Sequence, residues 1–495
     1  MNLNLNFFTN KIFLISFFAL FVIYHLVTLS VSPIVWYDET FFNSVTLDFI
    51  TNHTFFLNVD PNAYHNQEIL CYGPVYFVFN GLIISLFENS PFFARLLGLI
   101  SGLILVLLIA NQYRYKIKNK NILIILLLAL CLDPFLNASM HKGRNDILAF
   151  LFYFIGILFL FKNKNLKISY SFLSAFFYLL AILTTTRLLV FIIPFIIYFL
   201  YIFIQKKELR KKIFYSAFVW GGALVFFYFI WILYAFGSYY NYVAYFSSLQ
   251  GLTTVYLFGN FFIPVEEYPL LLTFIALIII TLIKNKSIFL KSEFVFLFNH
   301  LFVFYFLISD TGPYSVLVIP VFYLVFLNIF IHLTDAELKS RYVKIFMIFI
   351  LLFNAGIFIF KSGVVFIKIE NRNYSNVNVF INSNIPKGSK VIGDEVYYYA
   401  VLKNNCVFQY MHLLGAFDEI EKYRREVFDY EYLIISDRAE RTNDGLFDFY
   451  EKNAKLIKIA EFKTQKSDLL NFLKFFSIYD FAFDGYDGII YKRIK

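Results

Sequence analysis

Long apolar runs separated by short basic clusters set the pattern of this chain. A helix needs roughly 20 apolar residues to cross a bilayer. On that measure spanning helices are predicted near residues 11–31, 95–113, 121–136, 145–161, 168–186, 188–204, 213–236, 268–283, 293–309, 314–332 and 342–362, about eleven in all. The third is short for a span. The run Lys11 to Val31 is too long for the apolar segment of a signal peptide, and no small-residue cleavage site follows it, so it is expected to remain as a first helix.

Topology follows from the basic clusters. These are Arg114 to Lys120, Lys162 to Lys167, Lys206 to Lys212, Lys284 to Lys291 and Lys339 to Lys344. The loops Pro33 to Tyr72, Gly237 to Pro269 and Ser309 to Tyr314 contain no Lys or Arg. The positive-inside rule assigns the clusters to the cytoplasm and the bare loops to the far side. If the apolar segment Gly73 to Phe87 also crossed, the first cluster would lie outside and every later loop would flip. It is therefore expected to be an interfacial or re-entrant helix within an outer loop, residues 32–94. An odd number of spans with the N-terminus inside leaves the C-terminus outside.

The expected organisation is thus an all-α polytopic membrane domain, residues 1–362, followed by a small extracytoplasmic α/β domain, residues 363–495. In that second part the apolar runs shrink to strand length at Lys390 to Ile392, Tyr432 to Ile435, Leu456 to Ile459 and Gly488 to Tyr491. Asp418 to Glu426 reads as a polar helix, and Pro386-Lys387-Gly388 as a turn.

Composition agrees. Hydrophobic residues make up 60% of the 495 and charged residues 16%, against about half and about a quarter in a soluble protein. The 68 Phe and 37 Tyr suit a bilayer. A net charge of +9 raises a nucleic-acid partner, but the basic residues sit in inter-helix clusters and form no basic stripe, which excludes one. Cys71, Cys131 and Cys406 have no metal-ligand spacing and their odd number argues against a disulfide framework. No dinucleotide, Walker or zinc motif is present.

Ionisable groups at membrane depth are costly, so those near helix ends are functional candidates. Trp36-Tyr37-Asp38-Glu39 opens the first outer loop, and a carboxylate among such aromatics can serve as a general base. The same pair also reads as a hydrophilic loop start at the membrane edge. The next outer loop holds Asp133, His141, Lys142, Arg144, Asn145 and Asp146. Lys142 and Arg144 run against the positive-inside rule, and Arg clamps phosphate with two parallel hydrogen bonds. Local pairing of these cations with Asp133 or Asp146 is the other reading. Arg187 follows Thr184-Thr185-Thr186 and reads either as a phosphate ligand or as an interfacial anchor. Asp310 and Tyr314 flank a tight Gly-Pro turn, and His65 stands alone in its loop. Glu266 and Glu267 fit a solvated loop better than a site lining.

Taken in order, four motifs resemble the GT-C membrane glycosyltransferases, in particular the branch of protein O-mannosyltransferases and the aminoarabinose transferase of lipid A. They are the acidic pair in WYDETFF, the Pro-aromatic segment YGPVYFVFNGLI, the Arg-opened helix SPFFARLLGLISGL, and the basic residue opening a span in HKGRNDILAFLF. The turn and span DTGPYSVLVIPVFYLVF and a C-terminal outer α/β domain support them. The family often carries two prolines before the aromatic, where this chain has Gly73-Pro74.

The resemblance implies a polyprenyl-phosphate sugar donor, a hydroxyl acceptor on a lipid, glycan or protein, and an inverting single displacement without cofactor or metal. It makes Asp38 the base, with Glu39 orienting the acceptor or Asp38. It makes Arg144 the first phosphate ligand, with Lys142 and Arg187 behind it. Tyr37, His65, Asp146, Asp310 and Tyr314 would line the site. The family's usual setting implies a bacterial inner membrane. A transporter, or a lipid-linked oligosaccharide flippase or polymerase, competes with this reading. A transporter does not explain an acidic pair so close behind the first helix, and the scarcity of outer-loop Arg counts against a polymerase.

Overall fold

A computed structural model describes residues 11–60, 67–248, 265–308, 314–333, 341–411, 429–437, 450–452, 454–464 and 485–494. Helix α1 (Lys11–Thr28) turns Ile12, Ile15, Leu20 and Ile23 outward, as a helix against acyl chains does. Helix α2 (Tyr37–Asn52) is different: it buries Thr40, Asn43, Ser44, Thr46 and Asp48 and ends at His53, whose φ is 59°. Asp38 and Glu39 lie in its first turn, where the helix dipole favours negative charge.

Helix α3 (Val75–Leu86) has 12 residues. At 1.5 Å per residue it extends about 18 Å, far short of a hydrocarbon core of about 30 Å. Next come α4 (Pro91–Tyr113), α5 (Lys120–Cys131) and α6 (Pro134–His141). The predicted third span is broken: α5 and α6 meet at 48°. The cause is local. Pro134 cannot donate a backbone hydrogen bond, and the Asp133 carboxylate caps α6 by accepting from the amides of Phe135 and Leu136 at 3.0 and 3.1 Å.

The chain continues through α7 (Asp146–Lys162), α8 (Ile168–Ile182), α9 (Ile192–Gln205), α10 (Arg210–Phe236), α11 (Tyr239–Ser248), α12 (Tyr268–Asn285), α13 (Ser292–Leu307), α14 (Ile319–His332) and α15 (Arg341–Ile367). Seven helical stretches among the described residues are long and apolar enough to cross a membrane, or eight if the bent pair counts as one. All eleven predicted intervals are helical, but α7, α8 and α13 have 17, 15 and 16 residues and fall below a full span's length. The Thr184 to Thr186 run illustrates why: it ends α8, and the chain re-enters through a 3-10 turn, Thr186–Phe191, before α9. The stretch Ser315–His332, which contains α14, is the most enclosed of the long ones, buried over 89% of its apolar window.

Beyond α15 come α16 (Tyr374–Asn384), β1 (Lys390–Gly393), α17 (Tyr398–Lys403), β2 (Val407–Tyr410), β3 (Tyr432–Ser436), β4 (Lys455–Phe462) and β5 (Gly488–Ile494). They form one five-stranded sheet in the order β2-β1-β3-β5-β4. β1 pairs in parallel with β2 and β3, with Val391 opposite Phe408 and Tyr432, while β5 runs antiparallel to β3 and β4. The four predicted strands are all present. β2 is additional, and Asp418 to Glu426 lies outside the described residues. Ser389 N donates to Pro386 O at 3.3 Å, closing the expected turn over Gly388 at φ 81°.

Tyrosines from this sheet region meet α2 and the segment before it. Tyr398 donates to Asn43 Oδ1 at 2.9 Å, Tyr410 shares a 2.7 Å hydrogen bond with Thr40, and Val35 N donates to the Tyr486 hydroxyl at 3.3 Å. These contacts explain the polar buried face of α2, which would otherwise carry unsatisfied groups.

Candidate active site

Adjacent residues on a helix point about 100° apart, so Asp38 and Glu39 face different surroundings. Glu39 points inward and is 1% exposed. Arg95, from the first turns of α4, donates to its Oε2 from Nη2 at 2.6 Å and Nε at 3.0 Å, and spends Nη1 on the Leu29 carbonyl at 2.8 Å. Tyr399 donates to Oε1 at 3.1 Å. Burial pushes the Glu39 carboxyl up, and Arg95 opposes that shift by charge and hydrogen bonds. Glu39 therefore ties α2, α4 and α17 together.

Asp38 faces the other way, with about a third of its side chain exposed (32%). Its Oδ2 accepts from Arg144 Nη1, while Arg144 Nε donates to Asp146 Oδ2 at 2.6 Å. Burial opposes the charge on Arg144, but Asp146 and Asp38 outweigh it and hold the guanidinium protonated. The Arg144 guanidinium also lies 5.7 Å from the Trp36 ring centre and 5.0 Å from that of Tyr314. Arg144 thus makes the local pairing with Asp146 that one of its sequence readings expects, with Asp38 as a second partner.

The loop bearing Lys142 and Arg144 is fixed from several sides. Gly143 has φ +61°, and a Cβ there would stand 2.9 Å from Glu39 Cγ. The Gly143 carbonyl accepts from Tyr76 at 2.8 Å, the Lys142 carbonyl from Trp36 Nε1 at 3.0 Å, and Asn145 Nδ2 donates to the Thr184 carbonyl at 2.8 Å. The Lys142 ammonium lies 5.7 Å from the Trp36 ring centre.

Arg187 sits beside this cluster in a contrasting state. Its guanidinium is 4.3 Å from the Tyr314 ring centre and 5.6 Å from that of Tyr72. Its Nη1 is buried and has no hydrogen-bond partner, and among the described residues no carboxylate pairs with it. Thr186, the residue before it, donates to the Cys71 carbonyl at 2.6 Å. Gly73 permits this approach: at φ +69° a Cβ would stand 2.4 Å from the Leu183 carbonyl oxygen.

The structure thus brings together Asp38, Lys142, Arg144, Asp146, Arg187 and Tyr314, with Tyr37 alongside and 5.1 Å from Tyr410 between ring centres. Glu39 is withdrawn into the interior behind them. His65 and Asp310 lie outside the described residues. Glu267, expected in a solvated loop, is 4% exposed, and burial pushes its carboxyl up to about 8. Sequence reasoning passed over Tyr72 and the three consecutive tyrosines Tyr397 to Tyr399, although such a run in a polar segment was a usable sign. Among the described residues no group of three or more His, Cys, Asp or Glu is arranged to hold a metal ion.

No family model matches the chain, and no curated protein matches it in sequence. The fold does have solved counterparts. ArnT from Cupriavidus metallidurans bound to undecaprenyl phosphate superposes with a TM-score of 0.61 at 10% identity, covering 97% of both chains. The same protein in the apo state gives 0.57, again at 10% identity and 97% of both chains. The superposition runs along nearly the whole of both chains, so the GT-C resemblance read from the motifs is found in the fold. The chain is an integral membrane protein of that architecture.

Proposed function

We propose that this protein transfers a sugar from a polyprenyl-phosphate donor to a hydroxyl of a lipid, glycan or protein acceptor on the extracytoplasmic face. The observation that carries the reading is Arg187: a half-buried cation held between Tyr72 and Tyr314, without a carboxylate partner among the described residues and with a buried, unsatisfied N–H. A guanidinium with a buried N–H in that state lacks an anion. It stands in the same cluster as a half-open carboxylate, Asp38, and the fold it sits in resembles that of ArnT bound to undecaprenyl phosphate.

The chemistry needs few parts. The acceptor O–H gives its proton to Asp38, the acceptor oxygen bonds to the anomeric carbon, and the bond from that carbon to the phosphate oxygen breaks with inversion. The polyprenyl phosphate leaves with the electron pair. Charge stabilisation of that leaving group, from Arg187 first and then Lys142, does the work that a general acid does elsewhere. Arg144, already bridging Asp38 and Asp146, orients the base and adds positive charge to the site. Asp38 keeps Oδ1 for the acceptor. Glu39 acts through position, by anchoring the turn that presents Asp38. No cofactor enters this scheme.

The charge pattern supports an N-terminus in the cytoplasm and residues 363–495 outside, and the family's usual setting supports a bacterial inner membrane. Membranes carrying the parent or Asp38→Asn at matched expression, given radiolabelled polyprenyl-phosphate sugars with native lipid and glycan extracts, test the reading. Transfer by the parent alone supports it, and the labelled product identifies the acceptor. Undiminished transfer by Asp38→Asn removes Asp38 as the base, and no transfer by either protein removes the reading.

A further inference from the structure

Directly after Tyr314 the chain makes a 3-10 turn, Ser315–Leu317, and Pro320 follows in the first turn of α14. Proline has no N–H, so the chain cannot close the next 3-10 bond onto the Leu317 carbonyl. A buried carbonyl left open in this way needs a donor from elsewhere. His300 of α13 supplies it, with Nε2 2.7 Å from the Leu317 oxygen. The ring is fully enclosed and takes no part in the transfer scheme.

The hydrogen-bond directions follow from the partners. A carbonyl only accepts, so His300 Nε2 carries the hydrogen, and Nδ1 of the neutral ring accepts. Its partner at 2.9 Å is the Tyr153 hydroxyl of α7, which donates. Both ring nitrogens are satisfied. The face of the ring stacks on Phe191, with centroids 4.2 Å apart and planes at 15°. Phe191 closes the Thr186–Phe191 turn, the one that bears Arg187. The position therefore demands a donor at one end of a plane, an acceptor at the other and an aromatic face between them. Phe offers the face alone, and Gln carries its donor and acceptor at one end.

These contacts close a circuit. On its outer side the Arg187 guanidinium lies 4.3 Å from the Tyr314 ring centre. On its inner side two further residues meet on one imidazole: Phe191, four residues after Arg187, and Leu317, three after Tyr314. His300 thus sets the spacing of the two 3-10 turns that carry Arg187 and lead away from Tyr314.

We propose that His300 is a positioning residue for the donor phosphate, fixing Arg187 against Tyr314 without itself touching the donor. The inference rests on the reading of Arg187 as a phosphate ligand.

Binding of undecaprenyl phosphate to the full chain in detergent, measured by native mass spectrometry beside thermal unfolding, tests it. His300→Phe keeps the ring face and loses both hydrogen bonds, and should weaken binding about tenfold by displacing the guanidinium. His300→Gln, whose amide N–H reaches toward the Leu317 carbonyl, should recover part of that loss. In an Arg187→Ala background His300→Phe should cost little more, because its effect passes through the guanidinium. A merely structural role would lower the thermal midpoint and the folded fraction and leave the Kd of the folded protein unchanged. Tyr153→Phe removes only one hydroxyl and is the milder probe if His300→Phe folds poorly, with a loss of about threefold expected. An unchanged Kd in these variants overturns the proposal, as does an equal fold-loss from His300→Phe with and without Arg187. A parent protein that does not bind undecaprenyl phosphate overturns instead the donor reading on which the inference rests, so the two failures are distinct.

Discussion

Arg95 and Glu39 form an ion pair closed by two hydrogen bonds, 2.6 and 3.0 Å, with both side chains fully enclosed. Removing one member of a buried pair strands the other, at about 3–5 kcal/mol. Glu39→Ala and Arg95→Ala are therefore expected to lower the thermal midpoint of the purified protein sharply, each by a similar amount. Little further loss is expected in the double variant, because the stranded charge is then gone. A full additive loss would show that the two residues act separately.

Gly143 is the narrow point between this anchor and the outward-facing Asp38. Its φ of +61° costs an L-residue about 1–2 kcal/mol, and the added Cβ would meet Glu39 Cγ at 2.9 Å. That contact cannot relax easily because Arg95 and Tyr399 hold the Glu39 carboxylate. Gly143→Ala should shift the Arg144 loop and reduce turnover far more than it reduces stability. Activity assays beside thermal unfolding read this directly, and parent-like turnover in Gly143→Ala would show that the loop tolerates the shift.

Much of this was legible in the sequence. Hydrophobic run length located the long apolar helices, because period and length are local properties, but not the more polar α2 and α11. It did not count the crossings, since α7, α8 and α13 are cut short by caps and turns whose effect depends on neighbours. Asp133 shows the limit: a carboxylate in a loop looked like a partner for Arg144, and it caps α6 instead. The acidic pair was visible, but its division of labour was not. Which carboxylate turns inward depends on Arg95, 56 residues away, and on Tyr399, 360 residues away. Likewise nothing local marks Arg187 as a cation without a carboxylate partner among the described residues.

Glu267 makes stability depend on pH. Burial raises its carboxyl from 4.5 to about 8, so the folded state holds a proton that the unfolded state releases. The stabilisation is complete below pH 4.5 and is lost as the pH rises from there through 8, amounting to a few kcal/mol at most. The parent should accordingly lose thermal stability between pH 5 and 8 more steeply than Glu267→Gln, with the variant relatively more stable at pH 8. Parallel midpoint curves for the two proteins would mean that Glu267 reaches solvent.

Arg187 and Arg144 should separate kinetically. Arg144 already has two carboxylate partners, so its substitution disturbs the base it orients. Arg187 has aromatic rings around it and an N–H to spare, so its substitution removes attraction for the donor phosphate. Loss of one charge-assisted hydrogen bond is worth about 1.5–3 kcal/mol, or roughly ten- to a hundredfold in kcat/KM. Arg187→Ala is expected to show that loss in kcat and in donor KM together, since the guanidinium both attracts the bound phosphate and stabilises it as it leaves. Arg187→Lys should recover part of it, since a point charge replaces the planar fork. Arg144→Lys should instead depress kcat with donor KM nearly constant, because a lysine cannot bridge Asp38 and Asp146 in the same geometry. Steady-state kinetics with varied polyprenyl-phosphate sugar distinguishes the two patterns. An Arg187→Ala enzyme with the parent's kcat/KM for the donor would return the phosphate to Arg144 and Lys142.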